Sequence, residues 1–82
     1  MIYRRNPTGY APADDAEFEA TVISAINGLS IDGSVYISHR DICYYNGWHC
    51  TPATSRRIGI LLKHRLCLIK VNSRNYKIPE AA

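Results

Sequence analysis

Two stretches of this chain repeat their apolar residues at helical spacing, and a third alternates with the shorter period of a strand. Phe18, Val22, Ala25, Ile26 and Leu29 lie three and four residues apart, which predicts a first helix with one side in the core. Asp14 stands at its start, three residues before Glu17, in the spacing of a capping box. Asn27-Gly28 is the expected stop, because glycine tolerates the left-handed conformation of a helix end. Ala16, Ala20 and Ile23 fall on a different side of the same helix, where small apolar residues suit contact with a second copy.

Asp32-Gly33 marks a turn, and Val35-Tyr36-Ile37 follows as a short strand. Ser38 is placed to cap a second helix from His39 to about Tyr45, with Ile42 and Cys43 facing inward. Asn46-Gly47 breaks it, and Trp48 is the next core anchor. Thr51 is a good N-cap and Pro52 a good first residue for a third helix reaching His64. At 100° per residue, Thr54, Ile58, Leu61 and Leu62 gather on its core side, with Arg65 at the margin. Pro52, Ala53, Arg56, Ile60 and Lys63 occupy the opposite side, flanked by Arg57 and His64.

Past Arg65 the pattern changes. Leu66 to Val71 is β-prone, Asn72-Ser73-Arg74-Asn75 has turn chemistry, and Tyr76-Lys77-Ile78 alternates before Pro79. A hairpin with a cationic tip is expected there, with Cys67 packed in the core. The expected organisation is an arm over residues 1–13, one α+β domain over 14–79 and a tail over 80–82.

Composition narrows the function. Eighty-two residues permit one small domain, and 46% hydrophobic content is enough to fill its core. There is no apolar run of membrane-spanning length, and the opening MIYRRNPTGY lacks the apolar middle of a signal peptide. A soluble, cytoplasmic chain is therefore expected, and Cys43, Cys50 and Cys67 are expected to be free thiols.

The net charge of +3 is unevenly spread. In residues 1–33, Arg4 and Arg5 face Asp14, Asp15, Glu17, Glu19 and Asp32, leaving −3. In residues 34–82, eight Lys and Arg face only Asp41 and Glu80, leaving +6. Such asymmetry suits a surface for a polyanion.

The order of helix, short strand, helix, helix, strand, turn and strand resembles the winged helix-turn-helix superfamily over about residues 14–79. The run from Ile37-Ser38 through Asn46-Gly47-Trp48 and Thr51-Pro52-Ala53-Thr54 to Ile58, Leu61 and Leu62 carries the resemblance. The hairpin Leu66–Val71 and Tyr76–Ile78 completes it. Gly59 inside the third helix and the long turn at Trp48–Cys50 depart from the pattern. The resemblance implies a small antiparallel sheet forming a wing, and a recognition helix in the major groove of double-stranded DNA. The role implied is that of a small sequence-specific transcriptional regulator or replication accessory factor.

On that reading Arg56 is the base-reading candidate, since its planar fork matches guanine O6 and N7. Thr54 and Ser55 are candidates for base edges or phosphate, and Ala53 and Ile60 for thymine methyl groups. Arg40, Arg57 and Lys63 suit phosphates, Arg74 a minor groove, and Lys70 and Lys77 the edges of the wing. Arg4 and Arg5 are candidates for a basic arm.

Ile60 also supports a rival reading, a winged-helix protein-interaction module. Small size alone suggests an origin for such a module in a virus or mobile element. His39, Cys43, His49 and Cys50 offer zinc-ligand chemistry, but no Cys-x-x-Cys is present, and neither metal nor other cofactor is expected. Cys50 with His49 or His39 lacks an orienting carboxylate and an oxyanion loop, and phosphate-binding motifs are missing. Catalysis is not expected.

Overall fold

Asp14 starts the first helix by accepting the N–H of Glu17 at 2.9 Å, and Asp15 and Glu17 suit the positive end of the helix dipole. The computed structural model describes residues 8–79. This helix, α1, covers Asp15–Ile31 and buries Phe18, Val22, Ala25, Ile26 and Leu29, the side its spacing requires.

Asn27-Gly28 does not end it. Gly28 lies inside α1, directly under the ring and hydroxyl of Tyr45, and any Cβ would overlap them. The helix runs on to Ile31. Gly33 then adopts a φ of 95°, its N–H reaches the Ser30 carbonyl at 3.0 Å, and the Ser34 N–H reaches Leu29 at 3.0 Å.

Strand β1 (Tyr36–Ser38) sits one residue later than its apolar run suggested, and Ser38 immediately caps α2 (His39–Asn46). The Ser38 hydroxyl accepts the Asp41 N–H at 3.2 Å, while the Asp41 carboxylate accepts the Ser38 N–H at 3.0 Å. Ile42 and Cys43 are completely buried. Gly47 ends α2 in the left-handed conformation, and Trp48 then stacks on Phe18 with ring centres 5.6 Å apart.

Residues 8–13, expected to belong to an arm, are bound to the body. Thr8 and Gly9 donate to the Gly47 carbonyl at 3.0 and 3.2 Å, and the His49 N–H returns to Gly9 at 2.8 Å. Ala11 packs on the core. The physical cause is the unpaired backbone at the end of α2, which this extended segment satisfies. Arg4, Arg5 and the expected tail 80–82 lie outside the described residues.

Thr51 caps α3 (Pro52–Ile60) by accepting the Thr54 N–H at 3.1 Å. The helix widens into a π turn over Leu61–Arg65, closed by the Leu66 N–H on the Leu61 carbonyl at 3.0 Å. Thr54, Ile58, Leu61 and Leu62 are buried along the run.

The expected strand Leu66–Val71 does not form as one piece. Leu68 N–H still bonds back to Leu62, and Cys67 takes a φ of 54°, so the chain must turn before it can extend. Cys67 is consequently exposed, not packed in the core. Only Ile69 to Val71 approach the returning chain, through Lys77 N–H to Ile69 (2.8 Å), Val71 N–H to Asn75 (3.0 Å) and a bridge between Lys70 and Tyr76.

The regular pairing of β2 (Asn75–Lys77) is with β1, antiparallel, with Tyr36 opposite Lys77, Ile37 opposite Tyr76 and Ser38 opposite Asn75. At the hairpin tip the Asn72 side chain accepts the N–H groups of Arg74 and Asn75, both at 2.9 Å. Among the described residues, three helices and a two-stranded antiparallel sheet make an α+β domain, the expected fold class, in a layout consistent with a winged helix. Among the described residues, no helix is long and apolar enough to cross a membrane.

Candidate nucleic-acid interface

The third helix meets the rest of the molecule along two seams, and those seams sort its polar residues. On one side lies α1. Arg57 is held there, donating to the Pro12 carbonyl at 2.9 Å and reaching Asp15 at 3.4 Å. Its guanidinium carbon also sits 3.9 Å from the centre of the Phe18 ring. Arg65 grips the Glu19 carboxylate on the same side, at 3.0 and 3.4 Å. That pairing raises its pKa, through the hydrogen bond first and the charge attraction second.

On the other side lies His39 of α2. Its Nδ1 is 2.7 Å from the Ser55 hydroxyl, and its Nε2 is 3.3 Å from the Tyr76 hydroxyl. A Cβ on Gly59 would come within 3.2 Å of this imidazole, so a bare backbone lets α3 approach it. Burial, and then the nearby Lys70 charge, lower the His39 pKa from its ordinary value. One ring therefore ties α2, α3 and β2 together.

Between the two seams is the solvent face. Pro52, Ala53, Arg56, Ile60 and Lys63 are all exposed on it, as the helical phase predicts. Arg56 precedes by three residues, and Lys63 follows by four, the Gly59 position at which α3 approaches His39. Ile60 lies towards α1, and with Ala16, Phe18, Arg57, Leu61 and Arg65 it lines an open cleft of about 590 Å³. Arg40, Lys70, Arg74 and Lys77 are exposed on α2 and the hairpin, with the Lys70 ammonium 5.8 Å from the centre of the Tyr76 ring.

Two site expectations need correction. Thr54 is buried, its hydroxyl bonded to Thr51 at 3.0 Å, so it supports the helix start instead of facing a base. Arg57 is committed to α1 and the 8–13 segment, which removes it from the solvent face assigned to phosphates. Ser55 is half-buried and engaged with His39.

The His39, Cys43, His49 and Cys50 set is dispersed. His39 turns to Ser55 and Tyr76, and His49 lies against Tyr10 with ring centres 4.8 Å apart. Cys43 is buried beside Cys50; desolvation first, and then that neighbour, push its thiol up to about 12. Among the described residues there is no group of three or more His, Cys, Asp or Glu able to hold a metal ion.

The His39 seam is not legible from sequence spacing. Its one visible sign is Gly59, a glycine inside a helix with no turn to explain it. On α1, Ala16 and Ala20 are exposed and Ile23 is at the margin of exposure. Comparisons of the chain with protein-family models, with curated proteins and with solved structures give no match.

Proposed function

We propose that this chain is a winged helix-turn-helix domain that binds double-stranded DNA in a sequence-specific way. In this reading the solvent face of α3 enters the major groove and the 72–75 turn lies beside it. Arg56 reads a base edge, Arg40 and Lys63 hold phosphates, and Lys70, Arg74 and Lys77 follow the backbone or minor groove. The role is that of a cytoplasmic transcriptional regulator or replication accessory factor.

The observation that carries the reading is the sorting of the cations. Among the described residues, the carboxylates of α1 take Arg57 and Arg65, while Arg40, Arg56, Lys63, Lys70, Arg74 and Lys77 are exposed with no ion pair. Six such cations on α2, α3 and one hairpin give a polyanion partner more support than random scatter. A salt series of duplex binding tests it, comparing the unaltered chain with Arg56→Ala plus Arg74→Ala. Binding that is undetectable at low salt, or indifferent both to salt and to these changes, overturns it.

One feature favours a second reading, association with protein. Ile60 keeps 54% of its surface exposed at the mouth of the α1–α3 cleft. In that case Ile60→Asp or Ile23→Asp abolishes partner or self-association while the circular dichroism spectrum is unchanged. Under the DNA reading, Ile23→Asp leaves duplex affinity as it was.

A further inference from the structure

The sheet has two faces, and one of them belongs to the core. Ile37 of β1 and Tyr76 of β2 stand opposite each other and are buried. Side chains alternate along a strand, so Tyr36 and Lys77, the next pair in the register, point to the other face. The segment before the hairpin turn extends that face. The Lys77 N–H bonds to the Ile69 carbonyl at 2.8 Å and the Val71 N–H to the Asn75 carbonyl at 3.0 Å, on either side of the Lys70–Tyr76 bridge. That register sets Ile69 beside Lys77 and Val71 beside Asn75. A row of Tyr36, Lys77 and Ile69 therefore crosses the sheet over about 10 Å, with Val71 in the next row. Tyr36 keeps 53% of its surface exposed, Ile69 71% and Val71 45%, and Lys77 is exposed as well.

We propose that this outer sheet face binds single-stranded nucleic acid, with an unpaired base on the Tyr36 ring and the adjoining phosphates at Lys77 and Arg74. The row offers, side by side, an aromatic plane for a base and an ammonium for the backbone. Ile69 and Val71 add apolar contact for a second base or a sugar. Charge favours the same partner. Residues 34–79 contain one acid, Asp41, and its carboxylate accepts the Ser38 N–H at 3.0 Å. The exposed cations Lys77 and Arg74 are thus left to an anion from outside.

Other partners fit this face less well. A duplex keeps its bases stacked on one another and offers Tyr36 no base face, whereas unpaired bases can splay onto a side chain. An apolar protein surface laid over the row would strip water from the Lys77 ammonium at its centre and give it no partner. Lys77 serves either the duplex reading or this one, but Tyr36 serves this one alone. The proposal therefore does not rest on duplex binding by α3.

The test titrates labelled oligothymidylate and oligouridylate with the folded, full-length chain at low salt, and repeats both with Tyr36→Ala and Tyr36→Phe. Tyr36→Ala is expected to weaken strand binding about 5- to 150-fold, the loss of one stacked base, while Tyr36→Phe keeps the ring and the affinity. Duplex affinity is expected to be the same in all three chains. Lys77→Ala should make the salt dependence of strand binding shallower by about 0.7. Ultraviolet crosslinking of an iodouracil-substituted strand to the unaltered chain should place the adduct on Tyr36, which does not depend on how a variant folds. Either strand bound through Tyr36 supports the proposal, and the tighter one tells whether the partner is DNA or RNA. Absence of binding to both strands, an affinity that Tyr36→Ala leaves unchanged, or an adduct confined to α3 overturns it. So does self-association that Ile69→Asp abolishes in a chain that binds neither strand, because the face then belongs to a second copy.

Discussion

Arg56 and Arg57 are adjacent in α3 and meet different surroundings. Arg57 reaches Pro12, Asp15 and the Phe18 ring, while Arg56 faces water. Arg57→Ala is therefore expected to destabilise the fold by about 1–2 kcal/mol, through the lost charge-assisted bond to Pro12 and the lost packing on Phe18. The exposed Asp15 pairing adds little to that. Arg56→Ala is expected to leave the urea midpoint nearly unchanged and to lower duplex affinity by about 1–3 kcal/mol. Urea denaturation and a binding titration on both variants check this pair, and equal effects on both quantities would contradict it.

Gly28 makes the second residue-scale prediction. Alanine is ordinarily the better helix former by about 1 kcal/mol. Here its methyl group would overlap Tyr45, so Gly28→Ala should destabilise by about 1–3 kcal/mol net. A raised thermal midpoint would show that α1 and α2 are not in such close contact. Asn-Gly is a strong local signal, which is why Gly28 resembles a helix stop in the sequence. What it does instead depends on Tyr45, 17 positions along the chain, and no local pattern carries that. Thr54 differs from its expected role for a similar reason: its place on the core side of α3 is visible in the sequence, but its bond to Thr51 is not.

At the scale of elements, the helix starts are the most legible part. Asp14, Ser38 and Thr51 each cap the helix they are expected to cap, because a cap is a contact between residues two or three apart. The end of α3 is not legible. A π turn and the left-handed Cys67 use residues that local β propensity assigns to a strand.

The His39 seam gives a prediction for pH. Burial and the Lys70 charge hold the folded-state pKa of His39 below its ordinary 6.5, so the fold prefers the neutral ring. The unfolded chain takes up that proton near 6.5, and between the two values it binds more protons than the folded chain. The contribution of His39 to stability is thus complete above 6.5 and is lost progressively as pH falls through its folded-state pKa. Urea midpoints measured from about pH 7.5 to pH 5 should fall more steeply for the unaltered chain than for His39→Gln. Parallel curves would mean that the ring accepts its proton between Ser55 and Tyr76 without loss.

Across the whole molecule, the division of charge takes on a geometric meaning. The acidic residues Asp15, Glu17 and Glu19 lie on α1, and Asp15 and Glu19 draw two arginines to its side of the domain. Among the described residues, the cations that remain are those of α2, the solvent face of α3 with its π turn, and the hairpin. Net charge by halves is visible in the sequence, but which cations pair is not, because each pair joins positions more than 40 residues apart. The run of α3 and its π turn, with Ile60 at the cleft beside α1 and Arg56 and Lys63 exposed to solvent, is where the two readings of function meet.

The most direct test of the central claim is the salt dependence of binding to a random duplex. For the unaltered chain, the logarithm of the association constant should fall linearly with the logarithm of salt concentration, by about 0.9 per phosphate neutralised. Arg56→Ala plus Arg74→Ala should make that slope shallower by about 1 to 2, while Arg57→Ala leaves it unchanged. A slope near zero, or one that Arg57→Ala reduces as much as the double variant does, would contradict the DNA reading.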